Sequence, residues 1–235
     1  RTPLAATREF VALINDGIVG SVNDEQRDLL RLATDGCDQI TALLDDLLDA
    51  ARMQTGKLAI RPEAVALGAL MRDALRAHEG EAKARQVDLS LELNDSDGAL
   101  QAHADPVRIK QVIANLVGNA LKFTPAQGSV RVTLRHEPFQ PQWIELQVQD
   151  TGCGISPGTQ RHIFDRLYQS HDTAHGTLSA SGGLGLGLAI SSEIVRLHGS
   201  ELEVRSREGE GATFSFLLPT SQRPSAQPYW EDERA

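Results

Sequence analysis

The sequence predicts an α+β protein in two parts, a helical hairpin followed by a layered domain of helices and strands. Three observations carry this. A wide apolar stripe runs along one long helical stretch near the start, between glycine breaks. Beyond residue 57, runs of helical periodicity are interspersed with runs that alternate apolar and polar. The strands read as mostly antiparallel, which favours an α+β layer over a doubly wound sheet.

The hairpin comes first. Leu4, Val11, Ile14 and Ile18 recur at heptad-like spacing, with Phe10 and Leu13 beside them, until Gly17 and Gly20 break the pattern. Asn23 or Asp24 can cap a second helix, which Gly56 ends. Within it Leu29, Ala33, Gly36, Ile40, Leu43 and Leu47 alternate spacings of four and three. Leu30, Cys37, Leu44 and Ala51 repeat every seven residues alongside. That stripe is wider than a two-stranded seam needs. One hairpin cannot bury it, but two hairpins packed as a four-helix bundle can. A homodimer through residues 1–55 is expected. A hairpin folded onto its own second domain fits less well, because the stripe spans the whole helix.

The second domain begins with Lys57–Arg61, read as a short strand, and Leu67–Arg85, read as one helix. Val87–Leu93 alternates strictly, as a half-buried strand does. After a turn, Leu100–Ala104 is a further strand leading into a helix from Asp105 to Pro125. Ser129–Arg135 and Trp143–Gln149 form a hairpin pair around a loop containing Pro138 and Pro141. Glu201–Arg205 and Ala212–Leu218 are the last strands. Residues 220–235 are expected to be a disordered tail. The expected domains are therefore 1–57 and 58–219.

Composition narrows the function. A net charge of −9 and a pI near 5.2 argue against a nucleic-acid surface. Two cysteines far apart in sequence suggest no disulfide framework, so a reducing cytoplasm is the simpler setting. No apolar run approaches the ~20 residues of a membrane span. The chain starts with Arg, so it is expected to be a fragment whose membrane or sensory segments lie upstream. The full-length protein is then a candidate for inner-membrane anchoring.

The Asp105 helix organises the chemistry. Asp105 can cap it, Pro106 suits its first position and Pro125 lies past its end. Ile109, Val112, Ile113, Leu116, Ala120 and Leu121 share one face; Arg108, Gln111, Asn115, Asn119 and Lys122 share the other. Two amides and an ammonium in one stripe offer carbonyl oxygens to a hard cation and positive charge to phosphate. A solvated face is the plainer reading, and the helix alone does not decide between them. Asp150-Thr-Gly-Cys-Gly-Ile155 follows a strand, where a carboxylate can accept from an exocyclic amine and Gly152 and Gly154 let a ring approach. An ordinary Asp-Thr-Gly turn is the alternative. Gly182, Gly183, Gly185 and Gly187 run into a helix, presenting N–H groups suited to phosphate. Their spacing matches neither a Rossmann fingerprint nor a P-loop.

In order and spacing, the Asn115 helix, the Asp150 loop, the Gly182–Ala189 run and Gly211-Ala-Thr-Phe214 resemble the N, G1, G2 and terminal boxes of the sensor histidine kinase catalytic domain. Arg1-Thr-Pro-Leu4 resembles the end of that family's H box, His-Glu-Leu-Arg-Thr-Pro-Leu. The resemblance covers nearly the whole chain. It implies an α/β-sandwich ATP-binding domain of the GHKL type behind a dimerisation and phospho-acceptor hairpin.

The same resemblance implies that Asn119 ligates Mg²⁺, that Lys122 contacts phosphate and that Asn115 lies near the metal. It implies that Asp150 reads adenine. It places Gly152, Gly154, Ile155, Phe164, Gly183, Gly185, Leu186, Gly187, Leu188 and Thr213 around ATP. The acceptor His falls three residues before Arg1, in no context matched by the seven histidines present. Thr2 matches the residue that orients water when the family dephosphorylates its partner, a response-regulator receiver domain. Related GHKL ATPases carry Glu at the Asn115 position; a neutral amide cannot act as general base. A GHKL ATPase and a non-catalytic nucleotide-binding scaffold remain the alternatives. Residues 167–181 read as an ATP lid. No Lys or Arg lies between Arg166 and Arg196, so the lid brings no cation to the phosphates. His171 and His175 read as polar lid residues before a metal pair. Tyr168 can stand in for the aromatic that the family often has at the Leu167 position.

Overall fold

A computed structural model describes residues 2–94, 100–168 and 184–221, with Thr2 and Asn94 described by their backbones alone. The chain divides into two compact units, with the boundary of the helical one between Leu58 and Ala59.

The first unit is the hairpin of α1 (Thr2–Asn15) and α2 (Asp24–Gln54). Asn23 caps α2 reciprocally: its side chain accepts from the Gln26 N–H at 2.8 Å, and the Gln26 side chain accepts from the Asn23 N–H at 3.0 Å. Gly56 ends α2 at φ +63°, a conformation that glycine adopts without a Cβ penalty. Arg8 and Asp38 pair across the two helices at 3.1 Å. Within the single chain Phe10, Ile18, Leu29, Ile40 and Leu47 stay exposed along the expected stripe. No described helix is long and apolar enough to cross a membrane.

The second unit opens with β1 (Glu63–Ala66), α3 (Leu67–Arg76), α4 (Glu79–Arg85) and β2 (Asp88–Asn94). It continues with β3 (Gln101–Ala104), α5 (Pro106–Phe123), β4 (Ser129–Glu137) and β5 (Gln140–Asp150). A single turn α6 (Pro157–Gln160), α7 (Gly187–Leu197), β6 (Glu203–Ser206) and β7 (Ala212–Pro219) complete it. The five-stranded sheet runs β2-β4-β5-β7-β6, and β1 pairs with β3 separately. Helix α5 touches α3, α7, β4 and β5. Its Ile109, Val112, Ile113, Leu116 and Leu121 are buried, as are Val130, Val132, Leu134, Leu146, Val148, Phe214 and Phe216 on the strands. This is the mixed helix-and-sheet layer expected.

Several local expectations change. Residues 57–61 form no strand. The Arg61 N–H, which a ladder would use, donates to the Asp105 carboxylate at 2.8 Å, and Pro62 has no N–H to give. The strand starts at Glu63 instead. The single helix over 67–85 is two, broken where His78 N–H bonds back to the Leu75 carbonyl. Strand β2 runs parallel to β4 through the β3–α5 crossover; the other three pairings of the sheet are antiparallel. The β4–β5 loop shrinks to Pro138 and Phe139. Pro141 falls in a register shift, between the pairs Glu137↔Gln140 and His136↔Ile144, where no ladder N–H is required. Thr220, expected in the tail, bridges Ala102.

Candidate functional site

Helix α5 forms one wall. Asp105 caps it, accepting at Oδ1 from the Val107 and Arg108 N–H groups at 3.0 and 3.1 Å. Its buried face locks onto the sheet, and Asn115, Asn119 and Lys122 follow on the other side. The Asn115 Nδ2 donates to Oγ of the buried Ser191 on α7 at 3.0 Å. That bond turns the Asn115 carbonyl oxygen toward Asn119, whose Nδ2 lies 3.5 Å away. Gly187 opens α7 against the same oxygen: a Cβ there would sit 2.2 Å from Asn115 Oδ1. Only glycine lets the first turn of α7 come this close. Lys122 is exposed, with its ammonium 5.3 Å from the Phe123 ring centroid.

Strand β5 delivers Asp150. It shares the alternation of Leu146 and Val148, so it faces the helix-covered side of the sheet. Its Oδ1 accepts from the Gly152 N–H at 2.8 Å and the Ala212 N–H at 3.2 Å. No hydrogen bond among the described residues reaches Oδ2. Burial pushes the Asp150 pKa up, against the two N–H donors, which pull it down. Gly152 abuts the end of α5: a Cβ there would meet the Phe123 carbonyl at 2.6 Å. Gly154, at φ +73°, has the Arg207 carbonyl where a Cβ would stand. Ile155 N–H donates to Ser206 Oγ at 2.8 Å, and Gln160 Nε2 reaches the Ile155 and Ser206 carbonyls. These bonds hold the Asp150 loop against β6 and β7. Phe164 meets Phe214 edge-on, with centroids 6.4 Å apart. Tyr168 lies beside His162 instead, with ring centroids 5.8 Å apart.

Asn115, Asn119 and Gly187 are thus brought together around the α5–α7 contact, and Asp150, Gly152, Gly154 and Ile155 form one loop beside the end of α5. Leu188 is half-buried in the first turn of α7, Leu186 is buried, and Gly185 sits at φ +67°. Thr213 is placed elsewhere. It pairs with Gln149, one residue out of phase with Asp150, so strand alternation turns it to the opposite face. Ala212 takes the expected place through its N–H. Gly183, residues 169–181 of the lid with His171 and His175, and the side chain of Thr2 lie outside the described residues. Ser191, Ala212 and Ser206 were not anticipated. Each acts across a long sequence interval, with no local signal.

The arrangement fits a magnesium nucleotide. The glycines at 152 and 187 let the Asp150 loop and α7 close onto α5 where a side chain would clash, and the Asp150 carboxylate stands in that loop. The amide carbonyls of Asn115 and Asn119 suit a hard cation. Among the described residues no three His, Cys, Asp or Glu side chains gather to hold a metal by themselves. A helical hairpin followed by such a domain defines an ATP-binding phosphotransfer core.

The comparisons identify which one. The model of the Histidine kinase-, DNA gyrase B-, and HSP90-like ATPase family matches residues 104–222, and that of the His Kinase A (phospho-acceptor) domain matches residues 1–56. The virulence sensor protein BvgS of Bordetella bronchiseptica is 36% identical over 97% of this chain, which spans 18% of that protein. The circadian input-output histidine kinase CikA of Synechococcus elongatus is 31% identical over 93% of this chain, which spans 28% of it. Full-length ShkA, solved in complex with AMPPNP, superposes with TM-score 0.70 at 26% identity, covering 94% of this chain and 44% of that one. The chain belongs to the sensor histidine kinases of two-component systems.

Proposed function

We propose that this chain is the ATP-dependent kinase core of such a sensor, with dimerisation and phosphotransfer in residues 1–57 and catalysis in residues 58–219. The observation that carries the reading is the neutral amide of Asn115, held by Ser191 against Gly187. An amide cannot deprotonate water, so this site positions a phosphoryl group for an acceptor that needs little activation. A neutral imidazole is such an acceptor near pH 7. Its nitrogen bonds to the γ-phosphorus as the bond to the β–γ bridging oxygen breaks, and ADP leaves with that electron pair. A carboxylate of a receiver-domain Asp then takes the phosphoryl group and frees the imidazole.

Asp150 would accept from the adenine amine at Oδ2, with Phe164 and Ile155 near the base. Asn119, with Asn115 beside it, would ligate Mg²⁺, which supplies charge neutralisation at the phosphates. Lys122 and the N–H groups of Gly185, Gly187 and Leu188 would meet the phosphates. The exposed stripe of α1 and α2 would pair with a second copy. Thr2 would orient water in the reverse, dephosphorylating reaction. The test is calorimetry with Mg-AMPPNP on the chain and on Asn119→Ala. We expect submillimolar binding by the former and at least about tenfold loss in the latter, the ~1.4 kcal/mol of one lost metal contact. Equal affinity in both would refute the metal assignment.

A further inference from the structure

A buried cluster joins three distant segments that the nucleotide chemistry does not use. His198, just after α7, accepts at Nε2 from the backbone N–H of Asp105 at 3.0 Å. Its Nδ1 lies 2.8 Å from the Ile194 carbonyl. A carbonyl can only accept, so the ring proton sits on Nδ1 and Nε2 is left as the acceptor. Burial lowers the His198 pKa and favours this neutral form; His103 acts in the same direction, while the Ile194 carbonyl and the Asp105 carboxylate oppose it. Asp105 is committed at every other polar atom. Oδ1 caps α5, Oδ2 accepts from the Arg61 N–H at 2.8 Å, and its carbonyl accepts from the Ile109 N–H at 2.9 Å.

The positions of these residues matter. Asp105 stands ten residues before Asn115, and His198 stands seven after Ser191. Helices α5 and α7 therefore run antiparallel and are tied twice, once at Asn115–Ser191 and once further along, about 15 Å away on α5 and about 10 Å away on α7 at 1.5 Å per residue. Arg61 lies three positions into the second unit, on the segment that leaves the hairpin. Its side chain is exposed, so its link to Asp105 is the backbone N–H. Packed helices shift as units, so a change at one tie is felt at the other.

We infer that Asp105 and His198 are positioning residues for the nucleotide site, and that the Arg61 N–H couples to them the segment leaving the hairpin. Displacing that segment changes the spacing of α5 and α7 at Asn115 and Ser191, and with it nucleotide affinity. The inference rests on the nucleotide reading above.

The test measures Mg-AMPPNP affinity by calorimetry on the whole chain, with thermal melts to confirm folding. Arg61→Ala keeps the N–H and should bind as the parent does. Arg61→Pro removes that donor as well as the side chain, at a position already biased to extended backbone by Pro62, and should weaken binding by about tenfold relative to Arg61→Ala, within the usual range of such couplings. His198→Leu should weaken binding similarly. His198→Gln, whose amide oxygen can accept from the Asp105 N–H, should restore most of it. The double variant Arg61→Pro/His198→Leu should lose no more than about the larger single loss, because both act through Asp105. If His198→Leu fails to fold, the Gln and Pro variants carry the result. Binding by the parent with Arg61→Pro equal to Arg61→Ala overturns the coupling alone. So does a His198→Gln variant that folds yet binds no better than His198→Leu. No binding by the parent overturns the nucleotide reading and this one with it.

Discussion

The side-chain amide of Asn115 donates to Ser191 Oγ at 3.0 Å, and a Cβ on Gly187 would overlap its carbonyl oxygen. One side chain on α5 is thus oriented by two residues of α7. Ser191→Ala removes the acceptor that fixes which way the amide points. It should leave the fold intact and weaken ATP binding several-fold, the effect of about 1 kcal/mol from a lost hydrogen bond. Gly187→Ala should be worse, because overpacking costs ~1–3 kcal/mol and displaces the amide itself. Parallel melts and ATP titrations separate the two effects. A Gly187→Ala protein with parental stability and affinity would contradict the close packing.

Asp150 is expected to couple adenine recognition to pH. Burial raises its pKa above 3.8 in the nucleotide-free protein. A group whose folded pKa is raised contributes stability that is present below its unfolded pKa and lost as pH rises through the folded value. Ionised Asp150 is therefore a cost to the free protein, offset when an amine donates to it. Asp150→Asn keeps an oxygen for Gly152 and Ala212 but carries no charge. At neutral pH it should melt no lower than the parent while binding ATP more weakly and preferring it less over GTP. Parental affinity for ATP should fall as pH drops through the raised pKa, and the Asn variant should lose that limb. Equal loss for both nucleotides would leave Asp150 a purely structural role.

His198 gives the opposite slope. Its pKa is lowered by burial, with His103 adding to the effect and Ile194 and Asp105 opposing it. The neutral form contributes stability that is present above the unfolded value of 6.5 and lost as pH falls through the folded one. His78 is lowered the same way, with Glu81 opposing. Melting temperature should therefore fall on acidification below about pH 6.5, and His198→Gln should flatten part of that slope. An unchanged slope would place the titration elsewhere.

Much of this was legible because α5 announces itself locally: a capping Asp, a proline at the first turn and an unbroken apolar face. The glycines of the nucleotide loops were legible as glycines, but the contacts that require them were not. Gly187 meets a side chain seventy-two positions earlier. Thr213 was misplaced because a short motif does not fix strand phase; one residue of register turns a side chain to the other face. The strand read into residues 57–61 followed a true alternation of Leu58 and Ile60, yet the decisive N–H belongs to Asp105. The parallel pairing of β2 with β4 is non-local, and nothing in either strand specifies it.

The exposed stripe predicts association. Leu47 is 56% exposed in the single chain and Leu43 is half-buried. Leu43→Lys with Leu47→Lys should yield monomers, because an unpaired ammonium buried in a bundle costs several kcal/mol. Light scattering at micromolar concentration should show a dimer for the parent and a monomer for the double variant. A monomeric parent would count against the four-helix bundle.

The last prediction concerns the phosphoryl acceptor. None of the histidines in the chain stands in an H-box context, and His198, the one in the buried α5–α7 contact, holds its Nε2 lone pair against the Asp105 N–H. Nucleophilic attack needs an imidazole nitrogen free to approach phosphorus in line. The chain by itself should therefore bind ATP without taking up phosphate, and the same chain preceded by His-Glu-Leu should phosphorylate itself. The product should be labile to acid and stable to alkali, as a phosphoramidate is, and should pass its phosphate to a receiver domain. Asn119→Ala should abolish uptake in that extended chain. Acid-labile phosphate on the chain without the added residues would identify one of its own histidines as the acceptor and displace the H-box assignment. Alkali-labile phosphate would point instead to a carboxylate acceptor and overturn the imidazole one.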